Sequence, residues 1–200
     1  MAENLGTDCA KVCRFLGERV NKTGTKLLIY HGRVFMVDMK NFTLTKHDDE
    51  LYAIIKPVKQ YSSEHKILAV WGIDCLSRFL PVFEAKYPNE SKVLYTAVGT
   101  LQKWINGEIK MWDARKYTYT VLSLAREIEK NDKAYSQIVR AASHCLATCH
   151  VPTHSEGVAM YTVSFLKLNY KNNENVFSLM EEERKWQIDH LQLLTKGVNK

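Results

Sequence analysis

From Ser62 to the C-terminus, apolar residues recur every three or four positions in segment after segment, and each segment is bounded by helix-ending chemistry. That periodicity is the strongest constraint on the fold, because it puts one apolar stripe on each helix and demands that the stripes pack together. Ser62 or Ser63 can cap a helix that runs to Leu80, where Pro81 interrupts it. Leu68, Gly72, Cys75 and Phe79 lie on one face of it, and Ile67, Val70 and Trp71 on another, so this helix is expected to be central. Pro88-Asn89 opens the next segment and Gly107 closes it, with Leu94, Ala97, Val98, Leu101, Trp104 and Ile105 in 3.6-residue register. A third helix is expected from Lys110 to Lys130. A fourth starts at Asn131-Asp132 and ends before Pro152, its seam built of small residues (Ala134, Ala141, Ala142, Cys145, Cys149) that let neighbours approach closely. Ser155–Leu168 and Asn175–Leu194 complete six helices joined by short polar turns. The fold class is therefore all-α: a multi-helical bundle or a set of stacked helical hairpins, without an internal sequence repeat.

The first sixty residues read differently, which suggests an N-terminal extension over 1–61 and a helical domain over 62–200. Asp8–Val20 carries a helical stripe. Lys26–Thr45 is rich in β-branched and aromatic residues, and a turn at His31-Gly32 could fold Leu27–Tyr30 onto Val34–Asp38 as a small hairpin. Leu51–Ile55 can form a short helix that Pro57 ends.

Charge and cysteine usage exclude several roles. The formal net charge is +6, yet Lys/Arg exceed Asp/Glu by only ten to seven in residues 1–60, ten to eight in 61–130 and eight to seven in 131–200. So diffuse an excess makes no groove for nucleic acid, and no nucleic-acid partner is expected. No apolar run approaches the ~20 residues that span a bilayer, so no membrane association is expected either. Met1–Asp8 is polar and acidic, unlike a secretory signal, which points to a cytoplasmic protein. Five cysteines, with Cys9/Cys13 and Cys145/Cys149 each one helical turn apart, match no disulfide framework and read as small buried hydrophobes.

Candidates for chemistry are few. Asp74 and Arg78, four apart on the most apolar helix, can pair on one face; they would form an interhelical salt bridge that fixes packing register, or meet a ligand or partner. Arg115 falls on the stripe of Met111, Ala114 and Thr118, so its guanidinium either reaches outward or finds a buried carboxylate, with Glu84 and Asp74 as possible partners. These four could line one polar pocket or sit at separate helix ends. His144 to His154 is the densest set of potential metal ligands, and Cys145, Cys149, His150 and His154 are weak candidates. Their spacing fits neither HExxH nor paired CxxC, so no metal and no other cofactor is expected; core cysteines and helix-end histidines explain the stretch more simply. Neither a nucleophile motif nor a phosphate-cradling glycine loop occurs, and no catalytic residue is assigned. Trp71, Trp104, Trp112 and Trp186 read as core or helix-interface residues, and Glu181-Glu182-Glu183 as a solvated first turn of the last helix.

The run Leu68-Ala69-Val70-Trp71-Gly72-Ile73-Asp74-Cys75-Leu76-Ser77-Arg78-Phe79-Leu80-Pro81-Val82-Phe83-Glu84 is followed by Trp104 with Gly107-Glu108, by Ala114-Arg115, and by Ala141 through His154. In that order they resemble a bacterial and archaeal family of small, all-helical immunity proteins of polymorphic toxin systems, over roughly residues 66–194. The resemblance implies an all-helical fold and a protein partner such as a toxin, bound without catalysis. Its polar positions match Asp74, Arg78, Glu84, Arg115, His144, His150 and His154. A basic chain mimics nucleic acid poorly, so the expected target is a toxin with an acidic or mixed surface. The alternative is a small-ligand-binding, metal-binding or enzymatic protein that uses an inter-helix polar pocket.

Overall fold

In the computed structural model, residues 25–30, 33–38 and 49–196 are described. The chain divides into two units, residues 1–43 and 44–200, taken separately below. In the first, strand β1 (Thr25–Tyr30) pairs antiparallel with β2 (Arg33–Asp38), with Ile29 opposite Val34. The expected turn at His31-Gly32 and the expected helix over Asp8–Val20 lie outside the described residues.

The second unit is all-α. Its described residues form α1 (Asp49–Ile55), α2 (Ser63–Ser77), α3 (Leu80–Lys86), α4 (Ser91–Ile105), α5 (Met111–Glu129), α6 (Lys133–Ala147), α7 (His154–Asn169) and α8 (Val176–Lys196). Capping chemistry sets several of the boundaries. The Ser62 hydroxyl accepts the His65 N–H at 3.2 Å to start α2, and the Asp132 carboxylate accepts the Tyr135 N–H at 3.1 Å to start α6. Where the sequence predicts one helix from Ser62 to Leu80, α2 ends at Ser77 and a further short helix, α3, which the sequence reading lacks, follows from Leu80. The chain turns at Arg78-Phe79, and Pro81 falls in the first turn of α3, where its missing N–H costs no hydrogen bond.

At the centre lies α6, with ten of its fifteen residues buried, in contact with α2, α3, α4, α5 and α7. Its small side chains permit this. Ala141, Ala142 and Ala147 present little bulk, so larger residues from the surrounding helices, among them Phe83 and Phe165, close over it. Each such large apolar side chain contributes about 1.5–3 kcal/mol by leaving water. Phe83, Tyr87, Tyr135 and Phe165 form a run of ring contacts with centroids 5.2–6.3 Å apart, joining α3, α6 and α7.

The tightest approach is between α6 and α7. A Cβ on Gly157 would lie 2.2 Å from His144 Nδ1 and within 2.8 Å of two further atoms of that imidazole, so α7 admits the ring only because residue 157 has no side chain. At Gly99, by contrast, an added Cβ would meet nothing within 4 Å. Gly157→Ala is therefore expected to destabilise the protein by about 1–3 kcal/mol through overpacking, while Gly99→Ala stabilises it by about 0.5–1 kcal/mol through helix propensity. Thermal or urea unfolding of the two variants checks this, and His144→Ala should relieve most of the Gly157→Ala penalty in the double variant.

Candidate functional site

Three histidines meet where the end of α6, the turn that follows it and the start of α7 come together. His144 sits on the last turn of α6, His150 in the turn and His154 at the first position of α7. Their rings form a chain, His144 to His154 at 5.2 Å and His154 to His150 at 5.0 Å between centroids, with Tyr161 5.1 Å from His144. The sequence brings them together because His150 and His154 flank the Val151-Pro152-Thr153 turn, which folds the chain back onto α6. Across from them, α5 presents Arg115 and Thr118. Together these side chains line a cavity of about 230 Å³.

The cavity walls are largely apolar, and the polar atoms set in them are unbalanced. Thr118 Oγ1, His144 Nδ1 and His150 Nδ1 are buried without a hydrogen-bond partner among the described residues. A buried polar atom left unpaired costs about 1–3 kcal/mol, so three around one cavity is unusual. No carboxylate lines the cavity, and Arg115 has no ion-pair partner among the described residues; its guanidinium lies 5.4 Å from the centroid of the Trp112 ring. Burial lowers the pKa of all three histidines. His154 falls furthest, to about 4, through burial first and then the nearness of His144, His150 and Arg115. For His150 the second cause is Arg115; for His144 the nearby His154 backbone partly opposes the effect of burial. At neutral pH the cluster is therefore three neutral imidazoles beside one fixed cation.

The weak metal candidates separate. Cys145 faces α2, where a Cβ on Gly72 would lie 3.7 Å from its sulfur, and burial holds its thiol well above the ordinary range. Cys149 is buried, its thiol pushed up to about 11, and its sulfur lies 3.8 Å from the Met111 carbonyl. Neither joins the histidines at the cavity, and among the described residues no three His, Cys, Asp or Glu side chains are arranged to hold a metal ion.

The remaining predicted positions lie apart from the cavity. Asp74 and Arg78 each reach across to α8 instead of pairing with each other. Asp74 Oδ2 is 2.7 Å from His190 Nε2, and Arg78 donates to Glu183 at 3.0 and 3.1 Å while covering the Trp186 ring at 4.0 Å. The Glu183 carboxylate and the Thr162 hydroxyl both accept from the Gln187 side chain, at 3.1 and 3.0 Å, and the Gln187 carbonyl accepts the Trp71 indole N–H at 2.9 Å. This polar seam locks α2 and α7 to α8. Glu84 is exposed and accepts the Tyr95 hydroxyl at 2.8 Å, so neither it nor Asp74 pairs with Arg115. Two expectations need correction. Glu183 is not in a solvated first turn: α8 begins at Val176, which carries Glu183 two turns in, where it is 5% exposed. Trp112 is not core, since it sits one position outside the buried stripe of α5 and is 61% exposed.

Sequence reasoning passed over His65, Gln187 and His190. His65 is buried beneath the cavity's turn: its Nδ1 accepts the Tyr61 N–H at 2.9 Å and its Nε2 donates to the Thr148 carbonyl at 2.5 Å. Tyr61 takes a left-handed backbone conformation (φ 64°) as it makes that bond, while the Gln60 side chain donates to the His150 carbonyl. One signal was available, because His65 lies in helical register with Leu68, Gly72 and Cys75 on the buried stripe of α2. His190 had none, since its partner Asp74 is 116 residues away.

Fold and site together define an all-helical domain with a histidine-lined cavity beside an exposed aromatic helix face. Residues 59–194 match the model of the family described as Imm-5 like putative immunity protein, and the chain belongs to that family. That membership gives it an immunity-type role. No curated protein and no solved structure is significantly similar to the chain. None of the described helices is long and apolar enough to cross a membrane.

Two outcomes follow from these environments. Because the folded pKa of His154 is depressed, the unfolded chain takes up its proton first as pH falls, so stability is lost between pH 6.5 and about 4. Urea titrations across that window should show the loss, and His154→Gln should flatten it. Arg78→Met leaves the buried Glu183 carboxylate without its cation. Because Arg78 is itself 43% exposed, the cost is expected to be about 1–3 kcal/mol at pH 7, below that of a fully buried pair. Raised by burial, the Glu183 pKa lets protonation relieve that cost toward acid, which comparison of melts at pH 7 and pH 5 would reveal.

Proposed function

We propose that this protein neutralises a toxin by binding it, without catalysis, and so covers the toxin's active site. The observation that carries this reading, beyond family membership, is the outer face of α5. Trp112, Arg115 and Tyr119 stand on one stripe at i, i+3 and i+7, and the two aromatics are 61% and 68% exposed. Trp, Tyr and Arg are the side chains that dominate binding energy at protein interfaces, because they bury large areas at small entropic cost and carry a polar handle. An isolated exposed aromatic needs no explanation; two flanking an unpaired arginine beside a histidine-lined cavity suit a partner surface. The chain's net positive charge favours a partner with an acidic or mixed surface.

The alternative is a small-ligand or enzymatic site, and the cavity gives it one supporting observation. Of the residues such a site was expected to use, Arg115, His150 and His154 converge, whereas Asp74 and Arg78 are engaged with α8. The polar seam accounts for those two without a ligand, which leaves the binding reading ahead.

The test is capture of the tagged full-length protein's partner from its host, followed by co-expression of that partner with and without this chain. Stoichiometric capture and rescue of growth are expected. The double variant Trp112→Ala/Tyr119→Ala should weaken the complex at least tenfold, about 1.4 kcal/mol or more, with an unchanged melting temperature. A captured partner that is not toxic, or rescue that the double variant leaves intact, would contradict the reading.

A further inference from the structure

We propose that the cavity between α5 and the α6–α7 turn is a carboxylate-binding pocket that receives an aspartate or glutamate side chain of the protein partner. The inference rests on the binding reading above and names the chemistry by which the partner is held. Three observations converge on it. Arg115 reaches the cavity as a permanent cation without an ion-pair partner among the described residues, and a guanidinium fork matches a carboxylate through two parallel N–H···O bonds. Around it, Thr118 Oγ1 and His150 Nδ1 are buried without a well-formed hydrogen bond among the described residues, while His144 Nδ1 faces α7 at Gly157. No acidic side chain lines the cavity to compete for them.

Size and surroundings choose between anions. About 230 Å³ accommodates a carboxylate with its short stem and lies below the lower end of drug-sized sites, roughly 300–1,000 Å³. A phosphoryl dianion calls for more fixed positive charge than one arginine beside neutral imidazoles supplies. The source of the carboxylate is indicated by the rim. Tyr119 lines the cavity and Trp112 stacks against Arg115 from the outer face of α5, so an acidic side chain entering the pocket would bring its own backbone down onto exposed aromatic surface. A free carboxylic acid would leave both aromatics uncovered. The histidines also hold the pocket's shape: His144 is seated against Gly157, and His65 is bonded to the Thr148 carbonyl beneath the turn.

The full chain, isotopically labelled, is titrated with N-acetyl-glutamate N-methylamide, with the matching glutamine compound and with sodium acetate, and followed by the side-chain resonances of Arg115 and the histidines. The glutamate compound is expected to bind saturably in the millimolar range, at least tenfold more tightly than the glutamine compound and more tightly than acetate. Arg115→Met should weaken it at least tenfold and Thr118→Val severalfold. Lys116→Met, one residue away on the exposed face, should leave it unchanged. Equal binding of the two amino-acid compounds, or equal loss in the Lys116 and Arg115 variants, would overturn the carboxylate assignment. Tighter binding of acetate than of the glutamate compound would overturn the partner side chain as its source. This titration needs no partner, so it can fail or succeed separately from the capture experiment. Should capture succeed, Arg115→Met must weaken that complex at least tenfold, and a complex indifferent to it would overturn the pocket's role in docking.

Discussion

Everything in the helical unit depends on how closely α6 and α7 approach each other. A helix can be buried on nearly all sides only if its side chains are small, and α6 meets that condition with alanines and serine where its neighbours press against it. On α7 the corresponding concession is Gly157, which makes room for the His144 ring. The turn that joins the two helices is thereby held against α5, and its histidines are gathered at the edge of the core instead of being spread over a surface. A stability requirement and a candidate binding site thus share the same few residues.

The two polar regions of the molecule differ in the completeness of their bonding. Along α2, α7 and α8, the polar seam is closed: Asp74 meets His190, Arg78 meets Glu183, and Gln187 bridges Glu183 to Thr162. Such a closed network specifies how α8 packs. Around the α6–α7 turn, the donors and acceptors outnumber their partners and a cation stands beside them. Physical chemistry makes the second arrangement costly unless something else satisfies it, and this contrast separates the structural polar residues from those available to a partner.

Most of the architecture was legible in the sequence, because apolar periodicity and capping residues act locally. Leu94, Ala97, Leu101 and Trp104 all occupy the buried face their spacing implies. Misreadings arose where a local pattern admitted two outcomes. The Asp74/Arg78 spacing suits an intrahelical pair, but the Glu183 carboxylate and the His190 imidazole, 105 and 116 residues away on α8, were closer in space. The acidic triplet at 181–183 resembles a helix start, but a helix that begins at Val176, next to the expected Asn175, carries Glu183 two turns in and buries it. The histidine cluster was visible as composition, yet its convergence with Arg115 depends on how tightly α6 and α7 pack, which no spacing rule encodes.

Amide hydrogen exchange on the free protein and on its complex with the captured partner tests the binding surface most directly. If the α5 face and the cavity form the interface, protection on binding will concentrate in the first half of α5 and across residues 148–157, with α8 unchanged. Protection confined to α8 and the outer side of α2, with α5 exchanging as in the free protein, would contradict the assignment of both the interface and the pocket.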